Sequence, residues 1–334
     1  MIWTENDRYY LSTFEKEKDL EKAILEVQDA LFGSRRIYLD MQKNIGKRGV
    51  LVRRPDGYLI DLTSRKQPKL YVVENELAVH HALRHIAVQI LEFSLAFEIS
   101  PRKVKEVVKQ ELRKRPTQWE KCRVYSEQNG FDNVDYLLEK MIYPPDSFSA
   151  VVIIDEEVEE LESVLVKRFN FPVEIIILRR FKTKDNGILY QFEPFLDDIA
   201  QGLANGKNSN DEVKQLDVSE INTIVVPARR DGFEETFIGE NMWRAIRIHS
   251  SMKSKIKFLA TYQVAPISAI THVVPVKQIE VWKDTNKYAL YFSDPPSEIK
   301  HIKLVKGGKV KAPQAPRYTS IERIRAAKNL DDAF

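Results

Sequence analysis

The first part of the chain carries two kinds of hydrophobic pattern that follow one another. Apolar residues recur at helical spacing over residues 14–32, and Gly33 follows where a helix cap is expected. Short apolar segments typical of strands come next, at 36–39, 58–63 and 69–76. The turn-forming residues between the last two segments predict a β-hairpin.

Further along, the patterns predict more helices and then a return to strands. An apolar stripe predicts a long helix over 78–98, and further helices are predicted at 102–115 and 132–142. Residues 150–181 have the pattern of a strand, a helix (156–169) and a second strand. Together these elements predict an α/β domain with a mixed sheet flanked by helices.

The character of the sequence changes after residue 200, which predicts two domains. We assign 1–200 to the α/β domain, with a basic helical insertion at about 101–145, and 201–220 to a linker rich in Gly, Asn, Ser and charge. From 221 to 334, short strand-like segments alternate with turn residues, which favours a small β-barrel. These segments are 223–228, 243–248, 255–264, 269–282, 288–292 and 299–305.

Composition and charge narrow the classes of protein that fit. Of the 334 residues, 43% are hydrophobic and 30% are charged, which excludes a wholly disordered chain. The single cysteine, Cys122, excludes a disulfide framework and a cysteine-rich zinc site. A net charge of +3 is too small to indicate a nucleic-acid partner by itself.

Neither membrane insertion nor export is expected from the sequence. No apolar run approaches the ~18–20 residues that a helix needs to span a bilayer. The first residues, MIWTENDRYY, lack the basic and then apolar pattern of a signal peptide. We therefore expect a cytoplasmic protein without a membrane partner.

Acidic side chains interrupt the two apolar strands of the predicted hairpin. A turn centred on Gln67-Pro68 would place Asp61 opposite Glu74, and Glu76 would share their face of the sheet. Three carboxylates so close together require a cation or a proton. Hard oxygen ligands suit Mg²⁺ or Mn²⁺, which can activate water and stabilise charge at a phosphate.

These residues resemble the PD-(D/E)XK nuclease superfamily. The resemblance covers roughly residues 15–100: an acidic helix, a strand with Asp, a hairpin, a Glu-x-Lys position and a helix carrying Gln. It implies a restriction-endonuclease-like core, in which Asp61 and Glu74 bind the metal and the backbone carbonyl of Asn75 is a further ligand. It also implies that Gln89 lies near the active site.

Some positions leave alternatives open within this resemblance. Asp56, in the literal Pro55-Asp56 pair, is a rival to Asp61 as the first acid, and the helical acid is Glu21 or Glu26. The superfamily's lysine position is occupied by Glu76, which either recruits a second cation or leaves a DNA-binding protein without activity.

The helix that carries Gln89 also carries two histidines on the same face. His81, His85 and Gln89 are four residues apart in turn, a spacing that zinc ligands use. Because no cysteine or third histidine is near, we expect these side chains to line the cleft beside Glu74 rather than to hold zinc.

The predicted insertion contains a strongly basic stretch. Between Arg102 and Arg123, nine basic side chains stand against three acidic ones, with Trp119 among them. Such a stretch favours contacts with the phosphate backbone of nucleic acid, although a solvated helix face is the ordinary alternative. The residues expected to make these contacts are Lys103, Lys109, Arg113, Lys114 and Arg115.

The second domain resembles, more faintly, PUA-like barrels of the EVE type. The resemblance lies in TYQVAPISAITHVVPVKQIE (261–280) and KYALYF (287–292), and it implies a reader of modified bases.

Together these features predict a metal-dependent DNA endonuclease, an enzyme of restriction or defence against foreign or modified DNA. The alternatives are a catalytically inactive nuclease-fold DNA-binding protein and a protein-interaction scaffold. DNA is the expected partner, and a homodimer is one candidate assembly.

Overall fold

The computed structural model describes residues 1–5, 7–41, 54–79, 82–158, 160–161, 164–165, 169–196, 216–283, 285 and 287–334. The chain divides into two compact units, Met1–Phe195 and Leu196–Phe334. Most of the predicted linker, 201–215, lies outside the described residues. Its last part is ordered: Asp217 is buried and caps a short 3₁₀ turn at Val218–Glu220.

The first unit contains helices and two separate sheets. In chain order its elements are β1 (Ile2–Trp3), β2 (Arg8–Leu11), α1 (Glu17–Phe32), β3 (Arg36–Asp40), β4 (Gly57–Asp61), β5 (Lys69–Glu76), α2 (Ala82–Ile99), α3 (Pro101–Arg113), α4 (Pro116–Asn129), α5 (Val134–Ile142), β6 (Ala150–Ile154), β7 (Val173–Ile177), β8 (Arg179–Lys182) and β9 (Ile188–Gln191).

A mixed five-stranded sheet, in the order β3-β4-β5-β6-β7, lies at the centre of this unit. Strands β3, β4 and β5 are antiparallel neighbours, whereas β5, β6 and β7 run parallel. The apolar side chains of one face pack against α2 to α5 in a single hydrophobic core. Helix α1 contacts β3 and β5 from the other side. The predicted α/β domain with a mixed sheet flanked by helices is therefore confirmed.

The predicted helices and strands match much of this unit, with four differences. Strands β1 and β2 are not predicted by the sequence. Helix α4 is not predicted by the sequence, because its largely polar residues have no clear apolar stripe. The strand predicted to end at residue 181 is divided at the buried Leu178 into β7 and β8, which belong to different sheets. The helix predicted at 156–169 lies partly outside the described residues.

The hairpin between β4 and β5 has a different register from the predicted one. Asp61 pairs with Lys69, and Gly57 pairs with Val73, so the prediction that Asp61 faces Glu74 is wrong. The connection is longer than a tight turn and is centred near Arg65. It is held by local hydrogen bonds, including one of 2.9 Å from the backbone N–H of Gln67 to the Ser64 hydroxyl.

The second unit is built mainly from strands. After the 3₁₀ turn its elements are β10 (Thr223–Ala228), a π-helical segment (Gly232–Gly239), β11 (Met242–Ile246), α6 (Ser250–Lys253), β12 (Phe258–Gln263), β13 (Ala269–Val281), β14 (Tyr288–Phe292), β15 (Ser297–Lys303), β16 (Arg317–Thr319), α7 (Ile321–Ala326) and α8 (Leu330–Ala333).

The strands of the second unit form one curled sheet in the order β11-β14-β13-β12-β10-β16, with β15 paired to β13. The long strand β13 pairs with β12, β14 and β15, and its register shifts in all three pairings. Among the described residues, the end strands β11 and β16 do not pair with each other. The predicted strands are confirmed, but they form an open sheet rather than the predicted closed barrel.

Gly57 allows close packing at the start of β4. A Cβ atom at this position would lie 2.5 Å from Cε2 of Tyr38. The Tyr38 ring has little room to move, because it stacks on the buried Phe32 with 5.2 Å between ring centroids.

We expect the Gly57→Ala substitution to lower the free energy of unfolding by about 1–3 kcal/mol, the usual cost of overpacking. Urea denaturation followed by circular dichroism measures this difference. Gly232→Ala is the control, since its added Cβ would meet its nearest neighbour at 3.6 Å. Equal stability of the Gly57→Ala variant and the wild type would contradict the packing argument.

Candidate functional site

Asp56 and Glu74 come together where β4 begins. The backbone N–H of Asp56 donates to Oε1 of Glu74 at 3.3 Å, and the backbone N–H of Asn75 donates to Oδ2 of Asp56 at 2.9 Å. Both carboxylates are buried. The pairing of Gly57 with Val73 brings this about, because it makes Asp56 the cross-strand neighbour of Glu74. The neighbour of Glu74 is thus the acid of the Pro55-Asp56 pair.

Asp61 is instead enclosed in a network of donors. The Nε of Arg36 donates to its Oδ2 at 2.9 Å. The backbone N–H and the hydroxyl of Thr63 donate to its Oδ1 at 2.9 and 2.6 Å. Arg36 donates further to the carbonyls of Phe32 and Phe195, at 2.9 and 3.2 Å. Asp61 therefore forms a buried ion pair with Arg36 and lies on the face of the sheet opposite to Glu74.

The surroundings of Asp61 keep it ionised. Burial by itself raises the pKa of this carboxyl, but the Arg36 guanidinium and the hydrogen bonds from Thr63 and Arg36 outweigh burial and lower the pKa below its ordinary value. A sequence signal for this pair existed: Arg36 interrupts an apolar strand just as Asp61 does, and the two face each other across β3 and β4.

Glu76 lies two residues beyond Glu74 on the same strand face, and it connects β5 to α2. Its Oε2 lies 2.6 Å from Nδ1 of His85, and its Oε1 accepts from the backbone N–H of Leu77 at 3.1 Å. Glu76 is buried, whereas half of the His85 side chain is exposed. The structure thus holds the Glu76 carboxylate against a histidine.

The other residues predicted on α2 are only partly placed. Gln89 is half-buried and follows His85 by four residues, so it lies one helical turn farther along the same face. No hydrogen bond in the described part of the chain joins Gln89 to Glu74. His81 lies outside the described residues.

Asn75 points to the opposite face of β5 from Glu74 and meets Tyr38. Its Nδ2 donates to the Tyr38 hydroxyl at 3.5 Å, and its buried Oδ1 has no hydrogen-bond partner among the described residues. Burial raises the pKa of Tyr38. The Asn75 hydrogen bond opposes this effect, and the nearby charges of Asp40, Asp56 and Glu21 add to it.

The two candidate helical acids of α1 make different contacts. Glu21 acts electrostatically on Tyr38, which meets Asn75 on the face of the sheet opposite to Glu74. Glu26 instead accepts a hydrogen bond of 2.7 Å from the hydroxyl of Tyr190 on β9. Neither contact joins a helical acid to Glu74, so both acids stay candidates.

Asp56 and Glu74 have the chemistry that a hard divalent cation requires. Mg²⁺ is commonly held by one or two carboxylates, with water and substrate phosphates completing its shell. Within the described residues, no group of three or more His, Cys, Asp or Glu side chains is arranged to hold a metal ion. A metal at this position would therefore be held by two carboxylates, with oxygen ligands from other groups.

The chain matches no protein-family model, no curated protein and no solved structure. None of the helices that the structure describes is both long and apolar enough to cross a bilayer.

Much of the positive charge of the basic stretch is paired within the unit. Lys105 contacts the carboxylates of Asp135 and Glu139 on α5 at 2.9 and 2.8 Å, and Lys109 also contacts Asp135. These ion pairs connect α3 to α5. The count of nine basic residues therefore overstates the charge available to a partner.

The residues predicted to contact phosphates also divide into those that pair with a carboxylate and those that do not. Lys114 and Arg115 both pair with Glu111, at 2.6 and 3.1 Å. Lys103 and Arg113 are exposed and have no carboxylate partner among the described residues, although Arg113 lies over the Trp119 ring at 5.4 Å.

In the second unit, most of the aromatic side chains that a base reader would use are buried. Tyr262, Tyr288 and Tyr318 lie in the core. Trp282 is more accessible, but the guanidinium of Arg244 lies over its ring at 5.5 Å.

We expect Asp61→Asn to lower the free energy of unfolding at pH 7 by about 3–5 kcal/mol, because it leaves the buried Arg36 without its counter-charge. The lowered pKa of Asp61 means that its stabilising effect is present above the ordinary carboxyl pKa of about 3.9 and is lost as the pH falls through the folded value. The difference between variant and wild type should therefore shrink in strong acid. Urea denaturation between pH 7 and pH 2.5 measures both effects.

Asp132→Asn, which changes an exposed aspartate in the same unit, serves as the control and should leave stability unchanged. If Asp61→Asn were as stable as this control at pH 7, the importance of the buried ion pair would be refuted.

Proposed function

We propose that the first unit is the catalytic part of a metal-dependent DNA endonuclease that hydrolyses phosphodiester bonds with water. The observation that carries this proposal is the pair of buried carboxylates, Asp56 and Glu74, on adjacent strands. A divalent cation would bind both carboxylates and lower the cost of holding two neighbouring acids inside the fold.

The arrangement of the elements supports the proposal. Helix α1, the strands β3 to β5 and helix α2 follow one another as the PD-(D/E)XK resemblance requires, and β6 and β7 extend the same sheet. The contact of Asp56 with Glu74 also favours the literal Pro55-Asp56 as the first part of the motif, and Glu74-Asn75-Glu76 as the second.

In this proposal Asp56 and Glu74 hold Mg²⁺ or Mn²⁺, and the backbone carbonyl of Asn75 is a candidate further ligand. When bound, the metal supplies Lewis-acid stabilisation of the phosphate and an activated water. Glu76 holds His85 at the edge of the site, where the superfamily has a lysine. Gln89 lies farther along the same helix.

Lys103 and Arg113 are the proposed contacts to the phosphate backbone of DNA. They are exposed, and in the described part of the chain no carboxylate neutralises them. The curled sheet of the second unit is proposed to help choose the DNA, in keeping with restriction or defence against foreign or modified DNA. A homodimer and a cytoplasmic location remain predictions.

The second candidate is a catalytically inactive DNA-binding protein built on the same fold. The observation that favours it is Glu76, whose carboxylate is held by His85 and by a backbone N–H where a lysine would otherwise act. This candidate retains binding of DNA and lacks metal-dependent cleavage.

We expect the wild type to cleave plasmid DNA with Mg²⁺ or Mn²⁺, and Asp56→Asn and Glu74→Gln to reduce the rate about a hundredfold or more, because each weakens metal binding. Conversion of supercoiled plasmid to nicked and linear forms measures the rate. The Asp132→Asn variant should cleave like the wild type.

Absence of cleavage by the wild type, with DNA binding retained, would favour the inactive candidate. Normal cleavage by both Asp56→Asn and Glu74→Gln would remove these two residues from the site.

We also expect Lys103→Gln and Arg113→Gln to weaken binding of duplex DNA and to reduce the salt dependence of log K by about 0.9 for each phosphate that the variant no longer binds. Fluorescence anisotropy over a series of salt concentrations in EDTA measures this. Lys114→Gln on the same helix is the matched control, since Lys114 is paired with Glu111. Equal effects of all three substitutions would contradict the distinction between paired and unpaired side chains.

A further inference from the structure

The small sheet formed by β1, β2, β8 and β9 is antiparallel throughout, and its register determines which side chains share a face. Trp3 pairs with Arg8, Tyr10 pairs with Lys182, and Lys182 pairs with Ile188. Paired residues lie on one face, and alternate residues of a strand do so too. Arg180 and Tyr190 share this face by the same rule, but they contact the rest of the unit. We call the remaining set of Trp3, Arg8, Tyr10, Lys182 and Ile188 the Trp3–Tyr10 face.

The Trp3–Tyr10 face is turned to solvent. Trp3 is 72% exposed, Tyr10 43% and Ile188 50%. Phe181 belongs to the opposite face of β8 and is buried. Large rings are normally the side chains that a small protein buries first, so two exposed rings side by side require an explanation.

One end of this sheet is attached to the rest of the unit. The hydroxyl of Tyr190 donates to Glu26 of α1 at 2.7 Å. The guanidinium of Arg180 donates to the carbonyl of Thr13 at 2.7 Å and lies 4.4 Å from the centroid of the Phe14 ring. These contacts fix the far strands, so the rings are presented on an anchored surface.

Rings and cations alternate across this face. Arg8 is the direct cross-strand neighbour of Trp3, and Lys182 is that of Tyr10. Among the described residues neither cation forms an ion pair. The nearest carboxylates in sequence, Glu5 and Asp7 for Arg8 and Asp185 for Lys182, are exposed. Trp3 and Tyr10 are diagonal neighbours, which places them about 7–8 Å apart.

This combination matches one class of partner better than others. Proteins that bind single strands stack successive bases on aromatic side chains and reach the phosphates with cations. In a duplex the base faces are already stacked on one another, so they are not available to such rings. Trp, Tyr and Arg are also common in protein–protein interfaces, whereas lysine is depleted there, so a second copy of the chain is the competing occupant that the test must separate.

We propose that the Trp3–Tyr10 face binds single-stranded DNA, with bases stacked on Trp3 and Tyr10 and phosphates held by Arg8 and Lys182. The proposal rests on the proposed function only in taking DNA as the nucleic acid. Its signal in the sequence is the aromatic character of the N-terminus, MIWTENDRYY.

The test uses the full chain in EDTA, so that binding is measured without cleavage. The probe is a fluorescein-labelled oligothymidylate of about fifteen nucleotides, within the reach of typical single-strand sites, followed by anisotropy. We expect Trp3→Ala combined with Tyr10→Ala to weaken binding about twentyfold or more, given what stacking of one base contributes. Trp3→Phe combined with Tyr10→Phe should retain most of the affinity, because the rings remain.

Leu11→Ala is the matched control, because Leu11 is 52% exposed on the same strand and points to the opposite face. It should change the affinity less than about twofold, since it removes neither a ring nor a cation. Arg8→Gln with Lys182→Gln should reduce the salt dependence of log K by about 1.4, the value for two phosphate contacts with a single strand.

Three results would overturn the proposal. The first is failure of the wild type to bind the oligonucleotide. The second is an affinity of the Trp3→Ala, Tyr10→Ala variant equal to that of the wild type. The third is loss of self-association in that variant by sedimentation, with oligonucleotide binding unchanged, which would assign the face to a second copy of the chain. Circular dichroism checks that each variant folds.

The outcome is independent of the nuclease assay. Binding that depends on Trp3 and Tyr10 in a protein that does not cleave plasmid would support this face and count against the endonuclease. Cleavage that depends on Asp56, with no binding at the Trp3–Tyr10 face, would support the endonuclease and count against this face.

Discussion

The buried ion pair between Arg36 and Asp61 sets the register on which the rest of the first unit depends. The two residues face each other across β3 and β4, and hydrogen bonds from Thr63 complete the surroundings of the carboxylate. Because β4 ends at this pair, the chain crosses to β5 through a long connection, and Asp56 rather than Asp61 becomes the neighbour of Glu74. A shift of one residue would move every side chain of the strand to the other face.

Ion pairs also decide which charges of the first unit a partner can meet. Lys105 and Lys109 hold α3 against α5 through Asp135, so they act mainly within the fold. A salt bridge of this kind satisfies both partners and removes them from the long-range field that attracts a nucleic acid. What remains for a phosphate backbone is the smaller set of exposed cations that includes Lys103 and Arg113.

The two proposed sites depart from the usual distribution of side chains in opposite ways, since acids are buried at one and aromatic rings are exposed at the other. Asp56 and Glu74 are acids held inside a sheet, where an uncompensated charge is costly. Trp3 and Tyr10 are rings held outside one, where burial would have been favourable. In the two proposals a cation binds the carboxylates and bases stack on the rings.

The sequence by itself determined most of the helices and strands, because apolar periodicity and turn residues act over a few neighbouring positions. It also indicated an acidic cluster at the hairpin, with Glu74 and Glu76 on one face of a strand. Only the tertiary structure decided that Asp61 pairs with Arg36, that Asp56 lies beside Glu74, and that the strands of the second unit form an open sheet. These outcomes depend on strand register and on charge partners far apart in the chain, and local patterns do not specify which distant group a side chain meets.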